Sequence, residues 1–159
     1  MKSIKAQSEL VAYSFDQLSE DYLKVVKQSQ QAFLNSYSPY SNFAVGAAVL
    51  LDNGEIILGS NQENAAYPSG LCAERTAMFY VGSTYPNQVV KAVAGAVQKP
   101  IENYPFPCGG CLQVLSEYQE KQNQPIDVIL VHPSENKVLI SRGLQNLLPF
   151  AFKKQHLGK

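Results

Sequence analysis

The chain has 159 residues, of which 45% are apolar and 16% are charged, a composition typical of a folded domain and not of a disordered segment. Thirteen Lys and Arg balance thirteen Asp and Glu, so the chain has no net attraction for nucleic acid or an anionic membrane. No apolar run approaches the roughly 18 residues that span a bilayer. We expect a small-molecule ligand, no nucleic-acid or membrane partner, and no electrostatic barrier to self-association.

The cysteine count bears on the cellular compartment. The chain has three cysteines, Cys72, Cys108 and Cys111. An odd number of cysteines cannot form a complete set of intrachain disulfides. The first residues lack the apolar region of a secretory signal. The sequence therefore predicts a cytoplasmic protein.

The first predicted element is a helix over residues 15–35, where apolar residues recur at helical spacing. Ser14 and Asp16 offer capping groups at its start. Residues 1–14 are expected to be an N-terminal extension. The Pro-containing segment 37–42 ends the helix, because the residue before a proline disfavours the helical conformation.

Residues 43–51 and 55–59 are predicted to be strands of an antiparallel hairpin, because the turn between them contains Asn53-Gly54. The later elements, in chain order, are predicted as helix 72–80, strand 89–97, helix 108–120, strands 126–132 and 137–141, and a short helix 144–152. Strands separated by helices favour parallel pairing. We expect one α/β domain over residues 1–159, a three-layer α/β/α sandwich whose mixed sheet has an antiparallel hairpin edge and parallel strands.

Cys108 and Cys111 form a C-x-x-C motif, and Cys72 lies upstream. The motif alone is also typical of a redox pair, a structural pair, or half of a four-cysteine zinc knuckle. Three cysteines cannot supply four thiolates, and His132 and His156 have no ligand spacing. A redox pair would leave Cys72 unexplained.

Cys72 and the C-x-x-C motif of Cys108 and Cys111 each lie where a predicted loop leads into a predicted helix. The free N–H groups and the dipole of a helix N-terminus favour thiolate over thiol. Three thiolates could therefore converge on one Zn²⁺ and leave its fourth position open, as in catalytic zinc sites. Glu74 follows Cys72 by two residues and could accept a proton from a metal-activated water. Taken alone, Glu74 is equally typical of an acidic residue that favours a helix N-terminus.

The segments Cys72-Ala73-Glu74-Arg75-Thr76-Ala77 and Pro107-Cys108-Gly109-Gly110-Cys111 resemble the zinc-dependent cytidine deaminases of the small, homotetrameric, all-cysteine type. They match the H-x-E and P-C-x-x-C signature of zinc deaminases with Cys as the first ligand. Segments 38–48, 61–65 and 147–149 extend the resemblance, which covers residues 15–152.

The resemblance implies deamination of cytidine and deoxycytidine to the uridine forms, with release of ammonia, in pyrimidine salvage. It implies one Zn²⁺ per chain, held by Cys72, Cys108 and Cys111, and a proton shuttle at Glu74 that serves ring N3 and the departing ammonia. Two alternatives stay open. One is a deaminase of the same scaffold that acts on a modified nucleoside or a nucleoside antibiotic, and the other is a non-catalytic zinc-stabilised module.

The resemblance also implies a set of substrate contacts. They are Phe43 in the nucleoside pocket, Asn61 and Glu63 at the ribose 3′-hydroxyl, the backbone of Ala73, and Phe152 stacked on the pyrimidine of a neighbouring subunit. Phe150 is an alternative to Phe152. Without the resemblance, Phe43 would be interpreted as a core residue and the segment around Asn61 and Glu63 as a polar turn.

Three thiolates on Zn²⁺ leave a net charge of −1, which a nearby cation should offset. Arg75 resembles the arginine that does this in the all-cysteine enzymes, although its position is also typical of a solvent-facing helix residue. Leu112 departs from the family, which commonly has Arg directly after the last ligand. We therefore expect Arg75 to provide more of the charge compensation.

Overall fold

The computed structural model describes residues 3–158, in which six strands form one sheet in the order β1-β6-β5-β4-β2-β3. The strands are β1 Val11–Ser14, β2 Val45–Leu51, β3 Ile56–Ser60, β4 Val90–Val97, β5 Asp127–Val131 and β6 Lys137–Arg142. The α-helices are α1 Glu20–Ala32, α2 Ala73–Thr84 and α3 Gly109–Gln122. Within residues 3–158, no helix is long and apolar enough to cross a bilayer.

The pairing confirms a mixed sheet with an antiparallel hairpin edge. β2 pairs antiparallel with β3, while β4 pairs parallel with β5 through the connection that contains α3. The remaining pairs, β2 with β4, β5 with β6 and β1 with β6, are antiparallel. The expected parallel pairing of strands joined by a helix is therefore found for β4 and β5, which α3 connects. It is not found for β3 and β4, which α2 connects, because β4 pairs with β2 and not with β3.

The sheet separates two apolar cores. Side chains alternate along a strand, so Ala48 and Leu50 of β2 pack in one core together with Val25 of α1. Val49 belongs to the other core, which contains Met78 of α2 and residues of α3. The helices thus lie on both faces of the sheet, which confirms the predicted three-layer sandwich.

The N-terminal region differs from the sequence-based expectation. Val11–Ser14 pairs with β6 at the edge of the sheet, where no element was predicted. Helix α1 begins at Glu20, since the Ser19 side chain accepts the backbone N–H of Tyr22 at 3.3 Å; the predicted start near Ser14 is wrong. Residues 1 and 2 of the expected extension, and residue 159 of the expected domain, lie outside the described residues.

The predicted C-terminal helix over residues 144–152 is also wrong. Only Leu144–Asn146 forms a short helical turn, and a second one follows at Lys154–Leu157. Pro149 explains the difference, because proline has no N–H to donate and disfavours the helical conformation at Leu148 before it.

Gly59 allows α2 to lie directly against β3. A Cβ at this position would lie 2.5 Å from the Ala73 carbonyl oxygen and 2.7 Å from the Ala77 nitrogen, and backbone atoms cannot yield as a flexible side chain does. Because Ala73 is the first residue of α2, this contact fixes the N-terminus of α2 relative to the sheet.

Candidate metal centre and substrate pocket

Helices α2 and α3 both begin directly after a cysteine. Cys72 and Cys108 are the N-cap residues, and neither side chain caps its helix, which leaves both thiols available for other contacts. Cys111 lies in the first turn of α3 and is fully buried. The Sγ atoms of Cys72 and Cys108 lie 3.7 Å apart, and those of Cys108 and Cys111 lie 3.5 Å apart.

The thiol cluster of Cys72, Cys108 and Cys111 fits a zinc ion. All three Sγ atoms lie within 4.8 Å of one another. Tetrahedral coordination with Zn–S bonds of about 2.3 Å separates sulfur atoms by roughly 3.8 Å, close to the two contacts above. Three protein ligands leave the fourth position open, which is the pattern of catalytic zinc and not of closed structural sites.

The electrostatics of the cluster favour a thiolate at Cys72. The neighbouring Cys111 thiol lowers the pKa of Cys72 to about 5, with further contributions from Arg75 and Cys108. The proximity of Cys72, together with burial, raises the pKa of Cys111. A thiolate is the form that binds a metal, and a thiol that coordinates a metal is deprotonated outright.

Glu74 lies in the first turn of α2 and is 8% exposed. Its Oε2 accepts a hydrogen bond from Cys111 Sγ at 3.4 Å. Burial raises the pKa of the Glu74 carboxyl. A carboxyl with a raised pKa holds a proton more readily than a free carboxyl does, which suits it to accept a proton and pass it on beside a metal site.

Arg75 contacts the thiol cluster, whereas Leu112 packs in the core. Nη2 of Arg75 lies 3.6 Å from Cys72 Sγ, and this hydrogen bond raises the pKa of Arg75. Leu112 packs against the buried cluster that includes Leu115 and Met78. The residue after the last cysteine therefore contributes apolar packing in this chain, and the cation near the thiols comes from α2.

A cavity of about 460 Å³ opens beside the thiols. It is lined by Ser41, Phe43, Val45, Asn61, Glu63, Cys72, Glu74, Gly95, Val97, Pro105, Phe106 and Cys108. The structure thus brings the predicted residues Phe43, Asn61 and Glu63 to the same cavity as Glu74 and two of the thiols. Ala73 is fully buried and is not among the lining residues.

The Asn61 side chain makes most of its hydrogen bonds to other residues of the chain. Its Oδ1 accepts the Val45 N–H at 2.8 Å and the Ser36 hydroxyl at 2.5 Å. Its Nδ2 donates to the Phe43 carbonyl at 2.9 Å. Because an amide nitrogen has two N–H groups, one remains for a ligand. Asn61 therefore fixes the backbone that carries Phe43 and keeps a single donor for the cavity.

Glu63 is anchored to the turn that precedes Phe43. Its Oε2 accepts the backbone N–H groups of Tyr40 at 2.9 Å and Ser41 at 3.2 Å, and its Oε1 accepts the Ser41 hydroxyl. The hydrogen bond from the Ser41 hydroxyl is the main reason why the pKa of Glu63 is lowered. Glu63 therefore presents an oriented carboxylate at the cavity.

Six lining residues were not predicted as site residues, namely Ser41, Val45, Gly95, Val97, Pro105 and Phe106. Phe106 is 55% exposed and lies two residues before Cys108, so an aromatic residue beside a ligand motif was the available signal. Gly95 offered no signal, since small residues occur throughout its strand.

Phe152 lies outside the cavity of its own chain. Its ring stacks on His156 with 5.6 Å between centroids, and its carbonyl accepts a hydrogen bond from Gln113 Nε2 at 2.8 Å. Phe152 is 57% exposed and Phe150 is 69% exposed. Both rings are therefore available on the surface of the single chain.

The three-layer fold and the thiol cluster beside a buried carboxyl define a zinc-binding enzyme site of the deaminase class. Residues 19–137 match the family described as the cytidine and deoxycytidylate deaminase zinc-binding region. A cytidine deaminase from Sporosarcina psychrophila is 36% identical over 138 residues, which cover 87% of this chain and 96% of the relative. A cytidine deaminase from Halalkalibacterium halodurans is 43% identical over 98 residues, which cover 61% of this chain and 71% of the relative.

Solved structures agree with these sequence relatives. The crystal structure of cytidine deaminase from Burkholderia pseudomallei matches with a TM-score of 0.70 and 32% identity, over 81% of this chain and 97% of that one. The crystal structure of cytidine deaminase from Mycobacterium tuberculosis matches with a TM-score of 0.66 and 33% identity, over 85% of this chain and 99% of that one. The chain belongs to the cytidine and deoxycytidylate deaminase family. Its zinc-binding region and its thiol cluster confirm the predicted zinc cofactor.

Proposed function

We propose that the protein deaminates cytidine and deoxycytidine to uridine and deoxyuridine, with release of ammonia, as a step of pyrimidine salvage. The observation that carries the proposal is the position of Glu74 beside three converging thiols, on a cavity of nucleoside size that Phe43, Asn61 and Glu63 also line. Relatives named cytidine deaminase, at 36% and 43% identity, support it.

The chain's own groups account for the proton transfers. Cys72, Cys108 and Cys111 would hold the zinc ion, which when bound lowers the pKa of a water molecule so that the water becomes a nucleophile near pH 7. Glu74 accepts a proton as the water oxygen adds to C4 of the cytosine ring, and it gives a proton to N3. Glu74 then takes the remaining proton of the oxygen now bonded to C4 and gives it to the amino group as the C4–N bond breaks, so that ammonia leaves and C4 keeps a carbonyl oxygen.

The polar rim of the cavity suits a free ribose. Asn61 keeps one N–H, and the Glu63 carboxylate, which has about four acceptor sites, uses three of them within the protein. Together they can donate to and accept from a 3′-hydroxyl, while the Phe43 ring offers an apolar face to the base. A 3′-phosphodiester lacks that hydroxyl and would bring negative charge beside Glu63, which favours nucleosides over polynucleotides. The backbone contact from Ala73 stays a prediction.

The experiment for the proposed function is an incubation of the zinc-loaded protein with cytidine, in which ring absorbance and released ammonia are followed together. Both should change in equal molar amounts. Zinc-loaded protein that turns over no nucleoside would contradict the proposal and favour a zinc-stabilised module. Turnover of a modified nucleoside or a nucleoside antibiotic, without turnover of cytidine, would favour the alternative substrate.

We propose that Arg75 stabilises the charged thiol cluster. The Arg75→Gln variant should bind zinc about 10–100-fold more weakly, the range found when partners that hydrogen-bond metal ligands are removed, because Cys72 Sγ loses its cationic donor. Competition with a chromogenic chelator measures this affinity. Lys24→Gln removes the same charge from an exposed position of α1 and should bind zinc normally. Equal zinc affinities in the two variants would contradict the role of Arg75.

We propose a homotetramer in which Phe152 of one subunit stacks on the base in the cavity of another. The exposed Phe152 ring and its position outside its own cavity support this arrangement. Since stacking contributes about 1–3 kcal/mol per base, Phe152→Ala should raise KM about 5–150-fold, whereas Phe150→Ala should not. Light scattering should give the mass of four chains, and a fully active monomer would contradict the proposal.

We further propose that residues 1–159 act as one domain in the cytoplasm. The single sheet that includes all six described strands supports the first part. The three free cysteines support the second part, since close thiol groups persist in a reducing compartment.

A further inference from the structure

The Ser36 hydroxyl contacts Asn61 from outside the cavity. It donates its hydrogen to Asn61 Oδ1 at 2.5 Å, which is the shortest of the three hydrogen bonds that the Asn61 side chain makes. Ser36 is half-buried and is not among the residues that line the cavity. An effect of Ser36 on a bound ligand would therefore be indirect, through Asn61.

The other two hydrogen bonds of the Asn61 side chain do not hold it independently of each other. The Val45 N–H and the Phe43 carbonyl belong to one stretch of backbone, where the chain enters β2. An amide held by that stretch alone would follow every movement of it. Ser36 belongs to the turn after α1, where its own N–H donates to the Phe33 carbonyl at 3.1 Å. The hydroxyl therefore fixes the amide relative to α1 as well as to β2.

The backbone next to Ser36 holds the rest of the polar rim. Tyr37 donates its N–H to the Asn61 carbonyl at 2.9 Å, and its own carbonyl accepts the Glu63 N–H at 2.8 Å. These two bonds form a parallel bridge between Tyr37 and Gln62. The side chain of Asn61 and the backbone of the rim are thus held by two adjacent residues of the same turn. The Ser36 hydroxyl is the only one of these contacts that a side-chain substitution can remove without altering the backbone.

We infer that Ser36 is a positioning residue, whose hydroxyl holds the Asn61 amide so that the free N–H of Asn61 points at the ribose 3′-hydroxyl. The inference rests on the proposed function, since it requires Asn61 to contact the ribose. A side chain that is fixed before the ligand arrives loses less rotational freedom on binding, which strengthens its contact with the ligand. The effect should fall on substrate binding and not on turnover, because the 3′-hydroxyl takes no part in the reaction at C4.

The experiment compares the zinc-loaded wild type and Ser36→Ala on cytidine and on 3′-deoxycytidine, which lacks the hydroxyl that Asn61 would bind. For cytidine, the variant should raise KM about 2–10-fold at unchanged kcat, the range that one neutral hydrogen bond contributes. For 3′-deoxycytidine, kcat/KM should not change. A merely structural role would lower kcat/KM for both nucleosides by the same factor, so the difference between them is the signature of positioning.

Two further variants isolate the hydroxyl of Ser36. Ser36→Thr keeps the hydroxyl, and the extended backbone at this position, with φ of −65° and ψ of 136°, suits a β-branched side chain. It should keep the wild-type KM for cytidine. Ser83→Ala removes an exposed hydroxyl, which donates to the Tyr80 carbonyl near the C-terminal end of α2, and should change the kinetics of neither nucleoside. Unfolding temperature and zinc content, measured on each preparation, should match those of the wild type.

Each contrary outcome has a distinct meaning. A wild-type KM for cytidine in Ser36→Ala, an equal loss for both nucleosides, or a Ser36→Thr variant that behaves as Ser36→Ala does would overturn the role of the hydroxyl. Loss of folding or of zinc in Ser36→Ala would overturn it as well, because the hydroxyl would then support the fold and not the ribose contact. These outcomes leave the proposed function intact, since the wild type still turns over cytidine. Zinc-loaded wild type that turns over no cytidine would overturn the inference together with the proposed function.

Discussion

The Glu74→Gln variant should lose about 10²–10⁴-fold in turnover of cytidine while it keeps its zinc, because a positioned general acid and base contributes a factor of that size. Glutamine has nearly the same shape and volume, and the three cysteines that form the thiol cluster are unchanged, so the cluster should remain assembled. It cannot carry a proton from water to N3. Steady-state turnover and metal content, measured on the same preparation, check the expectation.

A matched control separates this effect from a general loss of charge. Glu117 lies exposed on α3, and Glu117→Gln makes the same chemical change away from the cavity. It should retain wild-type turnover. Full activity of Glu74→Gln would show that another group moves the protons, and loss of zinc from that variant would show that Glu74 supports the metal site instead.

The part of the site that can be predicted from sequence is the part fixed by local structure. Cys72 and Glu74 share one helix start, and Cys108 and Cys111 share another. Their relative positions therefore follow once the two helices are recognised. The strong hairpin turn at Asn53-Gly54 likewise fixes the pairing of β2 with β3.

The parts that could not be predicted depend on contacts between distant segments. Val11–Ser14 is a four-residue strand with two exposed residues, too short for a clear alternating pattern, and only its pairing with β6 defines it. Gly95 has no distinguishing local sequence, because the open space beside it depends on how distant segments pack. Phe106 belongs to the site only because the loop before Cys108 lines the same cavity as β4, and the sequence does not show that contact.

Replacement of Cys108 with serine should have the largest effect on the metal site. Cys108 is the exposed member of the thiol cluster, and serine is a favourable N-cap residue, so α3 should still form. Removal of a partner of a metal ligand already weakens binding by 10–100-fold, and loss of a ligand should exceed about 100-fold. A Cys111→Ser variant would be harder to interpret, because Cys111 is fully buried and a buried hydroxyl could itself destabilise the fold.

Metal analysis after dialysis should find far less zinc in Cys108→Ser than in the wild type, and turnover should fall with it. Circular dichroism should show retained secondary structure. Chelation of the wild type should reproduce the same loss, and added zinc should reverse it there but not in the variant at equal concentration. A Cys108→Ser variant that keeps its zinc and full turnover would contradict the ligand assignment. Cys108→Ser should lose turnover with its metal and Glu74→Gln should lose turnover despite its metal, so the pair separates metal binding from proton transfer.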